Sequence, residues 1–107
     1  MDVRAERIGR NEDLFRKVND QIEGVNEAFG TITGTMSLLC ECGKLECIEQ
    51  LDLTVDAYRE LRAEPTRFAV KPGHEVPDLE RVVERHEGYF VVQKAEGGPA
   101  KLAEDLA

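Results

Sequence analysis

With 107 residues and a mass of 12.0 kDa, the chain is read as one small unit without room for a second core. Hydrophobic residues at 41% and charged residues at 34% give a globular balance rather than the apolar-poor composition of a disordered chain. The formal charge of −8 argues against a direct nucleic-acid partner, and the charged start Asp2, Arg4, Glu6, Arg7 with no long apolar run behind it predicts a cytoplasmic chain with no leader and no membrane span.

From Asn11 to Phe29 the apolar residues Leu14, Phe15, Val18, Ile22, Val25 and Phe29 recur at steps of three and four, the spacing of one helix face. Asn11 is the expected N-cap and Gly30 the expected end, with a Thr31–Thr35 link beyond. Within that face Phe15, Val18, Ile22, Val25 and Phe29 keep a 3,4,3,4 rhythm, a seam suited to packing on the domain itself, to another protein or to a second copy.

Met36–Cys40 and Ile48–Leu53 read as two strands flanking a cysteine cluster, which therefore sits at a hairpin tip. Thr54 caps a short helix whose Val55, Tyr58 and Leu61 share a face, and Pro65 stops it. Arg67–Lys71 reads as a strand, turned by Pro72-Gly73 just before His74. Residues 79–94 fit either a helix or a hairpin through Glu87-Gly88, and the β-branched and aromatic content favours the hairpin. The run 95–107, with Gly97-Gly98-Pro99 and a charged end, reads as a tail. The expected organisation is a helical segment over 1–30, a metal-stapled core over 35–94 and that tail, in an α+β fold with a small antiparallel sheet.

The chemistry lies in Cys40-Glu41-Cys42-Gly43-Lys44-Leu45-Glu46-Cys47, a C-x-C-G-x3-C run. An odd number of cysteines packed into eight residues does not suit a disulfide framework and does suit zinc, with copper(I) or an iron–sulfur cluster as other occupants of soft thiolates. Gly43 lets the chain fold back, so that the amides of Gly43 and Lys44 can donate to the sulfurs, while Glu41 and Glu46 are expected to face solvent. A tetrahedral site needs a fourth ligand, and His74, held at a strand end by its turn, is favoured over His86 among its charged neighbours. The expected reading is a regulatory or adaptor module with structural zinc on Cys40, Cys42, Cys47 and His74. Its alternatives are a thiol switch that ejects zinc on oxidation and a zinc hydrolase with Glu75 as base.

The C-x-C-x4-C spacing resembles the zinc motif that follows histone-methyltransferase SET domains, which implies a metal and nothing more. A wider resemblance is to small bacterial, chiefly actinobacterial, proteins. It rests on Arg10-Asn11-Glu12 leading into Leu14-Phe15, on the C-E-C-G cluster, on Leu53-Thr54-Val55-Asp56-Ala57-Tyr58, and on Pro72-Gly73-His74-Glu75 ahead of Glu80-Arg81-Val82-Val83-Glu84-Arg85. It implies the architecture and the pairing of the cysteines with a histidine, but no activity.

Overall fold

The computed structural model describes residues 2–29 and 34–107, the side chains of 26–29 aside. The expected helix end at Gly30, most of the Thr31–Thr35 link and the Phe29 end of the seam lie outside these. The elements run α1 (Val3–Phe29), β1 (Thr35–Leu39), β2 (Gln50–Thr54), α2 (Val55–Arg62), β3 (Arg67–Val70), β4 (Glu80–His86), β5 (Tyr89–Lys94) and α3 (Gly98–Leu106). The fold is α+β, with two antiparallel sheets in place of one: β1 pairs with β2, and β5 lies between β3 and β4.

The β1–β2 hairpin alternates, with Met36, Leu38, Leu51 and Leu53 buried and their neighbours outside, as a sheet with one covered face requires. Thr54 caps α2 as expected, its hydroxyl accepting from Ala57 N at 3.0 Å, and Tyr58 and Leu61 turn inward to the same core. Residues 79–94 form the hairpin, with a bulge at Val83 between the pairs Val82–Val92 and Glu84–Val91. In β3 the residues Phe68, Ala69 and Val70 are all buried, because both of its faces are covered. One side joins the core of the β1–β2 hairpin and α2, and the other joins Cys40, Cys42, Val92 and Ala103.

Three expectations about the helices are corrected. α1 begins eight residues before Asn11, because Asp2 caps it, Oδ1 accepting from Ala5 N at 2.7 Å. The 95–107 run is not a tail: α3 lies along α1, with Ala103 buried and its carbonyl accepting from Arg16 Nη2 at 3.0 Å. The third correction concerns the face that α1 buries.

That face is polar. Glu12, Asp13, Arg16 and Asn19 are buried, whereas Leu14 and Val25 are exposed and Phe15, Val18 and Ile22 are half-buried. Glu12, Arg16 and Asn19 have partners from distant segments, and Asp13 accepts from Arg16 and Lys17 on its own helix, which is what makes their burial tolerable. Asn19 pairs with the edge of β1, accepting from Leu39 N at 2.8 Å and donating to Leu39 O at 2.9 Å. Arg16 donates to Asp13, to Pro65 O and to Ala103 O, with its guanidinium 4.7 Å from the centre of the Phe68 ring. Lys94 Nζ lies between Glu12 Oε1 at 2.8 Å and Glu80 Oε1 at 3.0 Å. Of the described seam residues Val25 is exposed and Phe15, Val18 and Ile22 are half-buried, with Ile22 packing against the core.

Candidate metal centre

Cys40 and Cys42 follow β1 directly, and Cys40 N donates to Glu49 O at 3.0 Å, extending the hairpin by one rung. Because the segment is still extended, alternate side chains point opposite ways: Cys40 and Cys42 face the cluster and Glu41 faces away. Gly43 then takes φ +82°, a conformation disfavoured for residues with a Cβ. The chain returns through a turn in which Cys47 N donates to Lys44 O at 3.0 Å.

The fourth group arrives from the other sheet. His74 N donates to Lys71 O at 2.9 Å across Pro72-Gly73, with Gly73 at φ +90°, the glycine position of a type II turn. The ligand atoms of Cys40, Cys42, Cys47 and His74 all lie within 4.8 Å of one another. His74 Nδ1 is 3.6 Å from Cys40 Sγ and 3.7 Å from Cys47 Sγ. Zinc bonds of about 2.3 Å to sulfur and about 2.0–2.1 Å to nitrogen, opened to the tetrahedral angle, separate S and N by about 3.6 Å. The four groups thus stand compatibly with a tetrahedral metal site.

Each sulfur also receives a backbone N–H: Lys71 N donates to Cys40 at 3.2 Å, Lys44 N to Cys42 and Glu49 N to Cys47. These bonds offset the charge of thiolates held in an apolar wall of Phe68, Val70 and Val92. Cys42 is drawn down to about 4, first by the hydrogen bond from Cys40 and then, against its burial, by Lys44 N, His74 and Cys47. Cys40 is pushed up by that same hydrogen bond and by burial, and Cys47 chiefly by burial.

His86 stays at the β4–β5 hairpin tip, stacked on Tyr89 with ring centroids 4.6 Å apart and its Nε2 2.8 Å from Glu84 Oε1. Glu75 is not among the groups brought together. Glu46 is exposed as expected, but Glu41 is corrected: it is fully buried. Its carboxylate accepts from Ala69 N at 2.9 Å and from Asn19 Nδ2 at 2.8 Å, and its own N–H donates to Ala69 O at 2.8 Å. Burial pushes its pKa up to about 7 against those bonds and the nearby Arg62 and Arg16. One residue between two cysteines therefore ties β1 to β3 and to α1. The only sequence signal for this was the alternation itself, which places Glu41 opposite the sulfurs.

No family model matches the chain, and no curated protein or solved structure matches it either. Among the described residues no helix is long and apolar enough to cross a membrane.

Proposed function

We propose that the chain is a small cytoplasmic protein-interaction module, regulatory or adaptor in kind and without catalytic activity, stapled by a structural zinc on Cys40, Cys42, Cys47 and His74. The observation that carries this reading is the composition of the cluster. Three sulfurs and one imidazole nitrogen supply the four ligands of a closed tetrahedral site, and among the described residues no carboxylate stands in the group, whereas a catalytic zinc keeps one position for water or substrate. The soft donors favour zinc over harder cations. Burial of Cys40 and Cys42, with only Cys47 half-buried, weighs against rapid oxidation and places the thiol-switch reading second. Elemental analysis is expected to give one zinc per chain, and cobalt substitution a four-coordinate spectrum. A five- or six-coordinate cobalt spectrum refutes the closed site and favours the hydrolase.

The interaction surface in this proposal is the apolar seam of α1. Val18, Ile22 and Val25 line a shallow groove with Gln21, and Val25 is 58% exposed. A 3,4,3,4 seam complements a copy of itself in an isologous pair, so a second copy is its first occupant. Light scattering is expected to show a dimer that Val18→Glu with Val25→Glu converts to monomer, metal content and circular dichroism being unchanged. These two positions are chosen because Ile22 also serves the core. A parent chain that stays monomeric at all concentrations refutes self-association.

A further inference from the structure

The metal loop presses on α1 at Gly43. A Cβ at that position would lie 2.8 Å from Ile8 Cγ2, 3.1 Å from Ile8 O and 3.2 Å from Glu12 Cγ, and Asn11 Nδ2 fastens the contact by donating to Gly43 O at 2.9 Å. This approach sets Lys44 and Leu45 opposite Arg4, Arg7 and Ile8 across a cleft of about 320 Å³. Many other cations are matched, Arg10 with Glu6, Lys17 with Asp13, Arg59 with Glu23 and Lys101 with Asp105; on β4, Arg85 stands over the Phe90 ring and, among the described residues, neither it nor Arg81 has an ion pair. Among the described residues Arg7 and Lys44 have no ion pair, and both line this cleft beside Arg4, which holds Asp78 at 2.9 Å. Leu45, 61% exposed, stands next to them.

We propose that this cleft binds a small organic phosphomonoester, with the phosphoryl group between Arg7 and Lys44, Arg4 at its flank, and the organic part against Ile8 and Leu45. A guanidinium fork and an ammonium present several N–H donors to one tetrahedral oxyanion, the arrangement in which charged hydrogen bonds are strongest. The cleft is of the size that takes a small organic ligand, well beyond what inorganic phosphate alone fills, and its apolar walls favour a ligand of mixed character. Glu46 shares the cleft, and its negative charge holds the affinity below what three cations alone would give.

The cleft uses none of the sulfur or imidazole atoms of the metal cluster, so the inference goes beyond the zinc reading and can fail separately from it. The test is a calorimetric titration of the full chain, its metal content measured first, with phenyl phosphate as probe. Saturable one-to-one binding is expected with Kd at or below about 1 mM. Arg7→Gln and Lys44→Gln should each weaken it about tenfold, and Glu46→Gln should tighten it. Arg81→Gln, on exposed β4, should leave it unchanged. Absence of saturation, or an equal loss with Arg81→Gln, overturns the proposal. So does binding to phosphatidic acid vesicles without binding of phenyl phosphate, which would make the surface a lipid-headgroup contact. A chain that binds phenyl phosphate while carrying no metal keeps this inference and removes the zinc reading.

Discussion

A Cys42→Ser chain is expected to lose its metal and on the order of 4–5 kcal/mol of stability, the range reached when a small domain loses its metal. Cys42 is one of the two buried sulfurs of the cluster, so its removal takes away a ligand that the solvent does not readily replace. A strong chelator under reducing conditions should disorder the same region of the parent chain, because Cys40, Cys47 and the turn bearing His74 meet at that centre. The sign of the pH effect follows from the thiols. Cys40 and Cys47 are pushed above their ordinary value and Cys42 is held far below it, so zinc loading at pH 7 should release about two protons rather than three. Affinity therefore rises with pH through the neutral range. A proton count near three, or an affinity independent of pH, contradicts this distribution of charge. Full metal content and an unchanged melting curve in Cys42→Ser contradict the site.

Replacing Lys94 by Met should destabilise the fold by about 3–5 kcal/mol at neutral pH, because it strands two carboxylates where the parent holds a bridged pair. Lys94, Glu12 and Glu80 are all buried, and Glu12 Oε2 has no hydrogen-bond partner. Burial and the charge of Glu80 already raise Glu12 well above its ordinary value, whereas Glu12 and Glu80 together hold Lys94 up against its own burial. For a carboxyl so raised, the folded state keeps a proton that the unfolded chain releases, so its contribution to stability falls as pH rises above the ordinary carboxylate range. Without the ammonium Glu12 titrates higher still, since Lys94 is what draws it down. The deficit of Lys94→Met relative to the parent should be small near about pH 4 and greatest near about pH 8. Denaturant midpoints measured across that range check it, and a deficit constant with pH would show that lost packing, not stranded charge, is responsible.

What could be read from the sequence was what is encoded over short range. Three cysteines in one turn, a Pro-Gly before a histidine and a threonine ahead of Val55 each carry their geometry within a few residues, and the structure places all of them accordingly. The face that α1 buries was not legible, because a search for apolar periodicity finds the seam at Val18 and Ile22 and passes over Glu12, Arg16 and Asn19. Those residues are buried by partners far along the chain: Leu39 for Asn19, Lys94 for Glu12, Ala103 for Arg16. The same reason hid α3, whose weakly apolar sequence becomes a helix packed on α1, and hid the inward turn of Glu41, since no local pattern announces that Ala69 N–H and Asn19 will meet its carboxylate.

The division of labour within Cys40-Glu41-Cys42 sets how the sequence can be edited. Sulfur and carboxylate occupy opposite sides of a single extended segment, so the spacing of the first two cysteines is fixed by parity rather than by reach. Inserting one residue to make C-x-x-C, a spacing that serves other zinc sites well, would rotate one sulfur onto the side of Asn19 or swing the carboxylate toward the metal. An insertion between Lys44 and Cys47 meets no such rule, since that stretch is an exposed turn outside any strand. Length variation in this loop should therefore be tolerated after Lys44 and rejected before Cys42.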